Sequence, residues 1–169
     1  MDKNLLKLPY VPQRGRTTCW AACAAAIVDY HYHYDYSSLT ILTMAAEHGI
    51  VVTGKNGANL TQAKKLLDLF GGVNRVRYRH LTFQELIEAI DDGCPLWMSS
   101  IVADGSSNTG HAVVAYGYRR GPDGGGTMYY MDPAGAMRMA DFPKDGPVIY
   151  TNGGAMFRNN GFIACRSGI

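Results

Sequence analysis

Gln13-Arg-Gly-Arg-Thr-Thr-Cys19-Trp20-Ala-Ala-Cys23-Ala-Ala-Ala-Ile-Val28 is the stretch on which the reading of this chain turns. Alanine is the strongest helix former, and nothing between Cys19 and Val28 breaks a helix. The stretch predicts a helix from about Thr18 to Tyr30, with Thr17 or Thr18 as its N-cap. It is apolar nearly all round, which predicts a central, buried element. Cys19 falls at its start, where unpaired backbone N–H groups and the helix dipole favour a thiolate over a thiol. The run could pass for a secretory signal, since Arg14 and Arg16 precede it. The long lead-in with Pro9 and Pro12, and a core of alanine rather than leucine, argue against that.

Working outward, a helix is expected over about Ser38–His48, stopped by Gly49, and another over about Leu60–Phe70, stopped by Gly71-Gly72. Val73–His80 alternates, with Arg75, Arg77 and Arg79 on one face and Val76 and Tyr78 on the other, which is strand periodicity. Thr82-Phe-Gln-Glu85 reads as a capping box opening a helix to about Asp92. Strands are expected at Leu96–Val102, His111–Tyr118 and Met128–Met131, the last two joined by the glycine-rich loop Gly121–Gly126. A weaker strand is expected near Met137, and Gly161–Arg166 closes the sheet. Helices precede strands without βαβ alternation. The expected class is therefore α+β, an N-terminal helical half packed on a C-terminal antiparallel sheet.

The 169 residues are enough for one domain with a real core and too few for two, so residues 1–169 are read as a single domain. With 16 basic against 14 acidic residues the net charge is +2, which gives no field to recruit nucleic acid or an anionic membrane. Four cysteines are too few for a disulfide scaffold. No apolar run reaches the roughly 18 residues needed to cross a bilayer. Function must therefore come from a site.

Four residues form the candidate site: Gln13, Cys19, His111 and Asp132. His111 begins a strand after Gly110, which places its ring at an open edge of the sheet. Asp132 ends the next strand, before Pro133. Adjacent antiparallel strands can bring these two together although they are 21 positions apart. A nucleophilic thiol needs a base, and the base needs an orienting partner. The Gln13 amide could donate to an oxyanion beside the Cys19 N–H.

At these residues the chain resembles the papain-like cysteine peptidases. The words are Gln13-Arg-Gly-Arg-Thr-Thr-Cys19-Trp20, Gly110-His111-Ala-Val-Val-Ala-Tyr-Gly117 and Met131-Asp132-Pro133. Within that group it looks most like the bacteriocin-processing, double-glycine peptidases and related bacterial effector proteases. Gly57-Ala-Asn-Leu-Thr-Gln62 and Leu81-Thr-Phe-Gln-Glu85, each leading into a helix, match too, so the resemblance spans about Val11–Gly135. The cysteine-to-histidine distance of 92 residues is shorter than the roughly 130–150 of papain and the cathepsins, and the third residue is Asp rather than Asn. Both departures point to the compact bacterial type. The resemblance implies a thiol peptidase in which Cys19 attacks, His111 carries the proton, Asp132 orients it and Gln13 stabilises the oxyanion. It also implies a preference for small residues, as at Gly-Gly, on the acyl side of the cut. Substrate is expected near Trp20 and Gly110.

No cofactor or metal is expected. A zinc site from Cys19, Cys23, His31 and His33 is outweighed, because paired Cys-x2-Cys words are missing. Cys23, Cys94 and Cys165 read as core thiols. The run Tyr30–Tyr36 reads as a helix end and loop packed on the surface, and the three arginines as a solvated strand face. The position of Cys19 leaves no room for a built-in propeptide. The expected partners are therefore a protein substrate and a separate inhibitor, or immunity, protein. This describes a toxin-type effector, cytoplasmic in its producer and delivered into a target cell. Two other readings remain: a glutamine deamidase or transglutaminase-type acyl transferase on the same triad, and a catalytically silent binding module.

Overall fold

The computed structural model describes residues 2–15, 17–50, 59–106 and 110–168. Arg16, Gly57 and Ala58 of the words above lie outside the described residues. The alanine-rich stretch forms α1 (Cys19–Tyr32), buried from Cys19 through Asp29. It runs two residues beyond the expected end and stops where His33 turns left-handed. Three shorter helices follow: α2 (Ser38–Glu47), α3 (Leu60–Asp68) and α4 (Phe83–Asp91). Each of these has a side-chain cap. Ser37 accepts from the Thr40 N–H, Asn59 and Gln62 form a capping box, and so do Thr82 and Glu85.

The strands are β1 (Lys3–Leu5), β2 (Val73–Arg77), β3 (Leu96–Val102), β4 (Gly110–Arg120), β5 (Gly126–Met131), β6 (Met137–Phe142), β7 (Ile149–Asn152) and β8 (Ala155–Arg166). They form one antiparallel sheet in the order β2-β8-β3-β4-β5-β6, with β1 on β4 and β7 on β8. The expected α+β class holds. Sequence reading missed β1 and β7 because each is only three or four residues long and takes its partner from far away or across a tight turn. On one side of β4, β3 pairs with residues 110–115 and β1 with residues 117–119. Gly117 allows this: a Cβ there would press on the Asn4 carbonyl and Leu5.

The sheet is covered on both faces, so its central strands are buried at consecutive positions, with successive side chains entering opposite cores. Trp97, Ala112, Val114 and Ile163 point into a core shared with α1, α2 and α3. Leu96, Met98, Val113, Ala115 and Phe162 point into a second core with α4, Tyr118, Tyr130 and Tyr150. Small alanines let α1 approach the sheet closely, and the Trp97 indole N–H donates to the Trp20 carbonyl at 3.5 Å. β2 ends at Arg77 instead of His80 because its partner β8 shifts register against β3 just beyond Gly161. There the side-chain oxygen of Asn159 accepts the Leu81 N–H, and its amide donates to the Ser99 and Gly161 carbonyls.

Candidate active site

Cys19 is the first residue of α1, so its backbone N–H has no partner within the helix. Thr18 is the N-cap residue, but its side chain makes no cap, contrary to expectation. Its hydroxyl accepts from the Arg14 N–H at 3.0 Å and donates to the Gly15 carbonyl at 3.2 Å, bracing the preceding loop. The first-turn N–H groups beside Cys19 are therefore left without that side-chain cap. The same loop carries Gln13. Its backbone N–H donates to the Pro133 carbonyl at 2.9 Å, tying it to the turn after Asp132. Its side-chain Nε2 donates to Gly15 at 2.7 Å, while Oε1 is buried without a partner. An amide nitrogen carries two N–H groups, so one stays available when the other holds Gly15.

His111 is not at an open edge of the sheet. It lies in β4, a central strand, and its side chain is 8% exposed. The reason is pairing: β3 runs beside β4 from Gly110 onward, while β5 joins on the other side only at Val114. The turn after β5 occupies the vacated side and puts Asp132 against the ring. His111 Nε2 lies 2.8 Å from Asp132 Oδ1, and the carboxylate is fully buried. The Cys19 thiol lines the same cleft as the ring and interacts with it electrostatically. Burial alone would lower the imidazole pKa. The bond to Asp132 and the interaction with Cys19, with their charges, outweigh it and raise the value to about 9. The ring is therefore cationic at neutral pH, and a cation beside sulfur stabilises negative charge on it.

Cys19 and His111 line a cleft of about 520 Å³, while Asp132, against the ring, is fully buried. The cleft walls include Gly110 and Ala112 on β4, Trp97, Ser99 and Ser100 on β3, Leu60 and Thr61 on α3, and Tyr78 and Asn160. Gly110 thus lines the cleft, whereas Trp20 is buried in the core. Sequence reading missed Thr61, Tyr78 and Asn160. Tyr78, 72% exposed, reaches Thr61 at 3.1 Å from a different element, which no local pattern announces.

The other thiols are buried; Cys94 donates to Asp92 and Cys165 to the Ile163 carbonyl. Burial, with the charges of Cys19 and Asp132, pushes Cys23 well up, and burial raises Cys94 and Cys165 as well. His31 turns Nε2 to the Cys165 carbonyl at 2.7 Å. Among the described residues no three His, Cys, Asp or Glu side chains converge as metal ligands. Tyr32, Tyr34 and Tyr36 form a ladder at the helix end, with ring centroids 5.6 and 5.1 Å apart. Arg75, Arg77 and Arg79 are exposed, and Arg79 pairs with Glu85. No helix among the described residues is long and apolar enough to cross a membrane.

Solved peptidase structures share the fold. The peptidase domain of Streptococcus ComA, a bi-functional ABC transporter of a quorum-sensing pathway, is 18% identical with a TM-score of 0.59. The match covers 96% of this chain and 98% of that one. A double-glycine-motif protease from an AMS/PCAT transporter, solved with its leader peptide, is 17% identical with a TM-score of 0.59, covering 97% and 94%. A putative C39-like peptidase from Bacillus anthracis is 13% identical with a TM-score of 0.56, covering 94% and 98%. At these identities the likeness establishes the fold. No curated protein matches the chain by sequence. The family described as papain-like cysteine protease AvrRpt2 matches residues 3–144, most of the chain. The chain accordingly belongs to that family of papain-like cysteine proteases, hydrolases that cut peptide bonds with a cysteine thiol.

Proposed function

We propose that this chain, acting as one peptidase domain over residues 1–169, cleaves a protein substrate through the triad Cys19, His111 and Asp132. The observation that carries the reading is an imidazole hydrogen-bonded to a buried Asp132 and lining one open cleft together with Cys19. Cys19 Sγ attacks the scissile carbonyl carbon, forming a C–S bond and an oxyanion. The Cys19 N–H and the free amide N–H of Gln13 receive that negative charge. As the C–N bond breaks, His111 gives its proton to the leaving amine. A water then attacks the acyl-enzyme, His111 takes a proton from it, and the acid departs. Asp132 keeps the ring in the tautomer and orientation that this needs.

Small residues, as at Gly-Gly, fit the acyl side. Gly110 and Ala112, on either side of His111, line the cleft, and one structural relative is itself a double-glycine-motif protease. Cys19 opens onto the cleft, so a separate immunity protein seated there restrains the enzyme in its producer until it is delivered as a toxin-type effector. Co-purification with such a protein, blocking alkylation of Cys19, tests that role.

Terminal-peptide proteomics on target-cell proteins, comparing the intact chain with Cys19→Ala, tests the chemistry. New termini with the intact chain alone are expected. A mass shift of about one unit on glutamine without new termini would establish a deamidase instead. Equal activity of Cys19→Ala would leave a binding module.

A further inference from the structure

We propose that Arg138 is a positioning residue for this reaction, and that residue 135 is glycine so that Arg138 can lie against the turn carrying Asp132. The inference rests on the peptidase reading above. The Asp132 carboxylate is divided unequally. Oδ1 accepts from His111 Nε2 at 2.8 Å and from the Ala134 N–H at 3.0 Å. Oδ2 is equally buried and has no hydrogen-bond partner. A carboxylate held by one oxygen can still swing about its Cα–Cβ and Cβ–Cγ bonds, and the His111 bond swings with it.

Arg138 supplies what faces the second oxygen. Its Nε stands 3.7 Å from Oδ2, too long for a hydrogen bond and close enough for a charge pair. The other titratable groups around the carboxylate are His111 on β4, Cys19 and Cys23 on α1, Tyr130 on β5 and Tyr150 on β7. Arg138 is therefore the permanent cation of the group. An arginine that is 43% exposed makes a weak pair with an exposed partner, but its partner here is buried and poorly screened. Sheet register places Arg138 opposite Tyr130, two residues before Asp132 on the same face.

Gly135 adds the second observation. Its φ is not in the left-handed region, so the backbone does not demand glycine there. A Cβ at that position would instead overlap the Arg138 guanidinium. The turn is closed by Asp132 N–H to the Ala136 carbonyl and Gly135 N–H to the Asp132 carbonyl. The guanidinium thus lies on the turn whose first residue is Asp132.

The experiment compares Arg138→Gln, Arg138→Lys, Gly135→Ala and the double variant Arg138→Gln/Gly135→Ala in the full chain. It reads kcat and KM on a cleaved peptide, the rate of Cys19 alkylation by iodoacetamide, and the downfield N–H proton resonance of His111. Arg138→Gln is expected to lower kcat by about tenfold with KM nearly unchanged, slow alkylation and broaden that resonance. Arg138→Lys should restore most of the rate. Gly135→Ala moves the guanidinium aside without removing it, so it should reproduce the loss, and the double variant should be no worse than either single one. If Arg138→Gln does not fold, Gly135→Ala decides by the same readouts. Parental values for either variant, or additive losses in the double one, would overturn the proposal. An active Cys19→Ala protein would overturn the peptidase reading itself, whereas an inactive one beside a normal Arg138→Gln overturns only the role of Arg138.

Discussion

His111 carries the sharpest residue-scale consequence of the site. Its ring holds a proton to about pH 9 because Asp132 and Cys19 stabilise the cation more than burial penalises it. Asp132→Asn keeps the shape and removes the charge. The ring should then titrate well below 9, toward the ordinary histidine value of about 6.5. NMR titration of the imidazole, or the pH dependence of Cys19 alkylation, reads the change; an unmoved titration would mean that Asp132 is not what holds the proton. The same shift links to stability. A group whose folded pKa is raised adds stability below its unfolded pKa, and that addition disappears as pH rises through about 9. The parent should lose stability across that window, and Asp132→Asn should lose much less. The identities Cys19, His111 and Asp132 were legible in the sequence because each sits at a strand or helix end that local pattern reveals. The orphan oxygen of Asp132 and its neighbour Arg138 were not, since both depend on how one turn folds over another strand.

At the scale of elements, α1 works because its buried face is alanine. Ala22, Ala25 and Ala26 are fully buried in the core that α1 shares with the sheet, α2 and α3. Ala25→Leu should destabilise by about 1–3 kcal/mol through overpacking, seen as a lower urea midpoint with an unchanged m-value. The capping box of α4 gives a smaller, independent prediction: Thr82→Ala should cost about 1 kcal/mol by the same measurement. Its Glu85 is also paired with Arg79, which holds the carboxyl at about 2. That pairing adds stability above the unfolded value and is lost as pH falls through about 2. Capping boxes and alternation were readable because they are local, spanning three or four residues. Strand ends were less so: β4 extends to Arg120 and β8 begins at Ala155 because their partners reach that far, not because their own residues change character.

Across the whole molecule, Asn159 joins the most distant parts through one side chain. It satisfies Leu81 at the entrance to α4, Ser99 on β3 and Gly161 on β8, and its own N–H donates to Val148. Asn159→Ala would leave a buried N–H and two carbonyls unpaired. The loss should reach about 2–4 kcal/mol, against well under 1 for the exposed neighbour Arg158→Ala; equal effects in thermal unfolding would contradict this assignment. The residue carries no motif, and its importance exists only once two strands and two loops have met. The sequence by itself determined the class of the fold, the central helix and where the candidate site residues fall on its elements, because propensity, period and capping act over a few neighbours. Only the tertiary structure decided that His111 lies inside the sheet, that Thr18 braces the loop instead of capping the helix, and that Tyr78 and Asn160 wall the cleft. Those outcomes depend on hydrogen-bond partners and register between segments far apart in the chain, and local pattern carries no record of either.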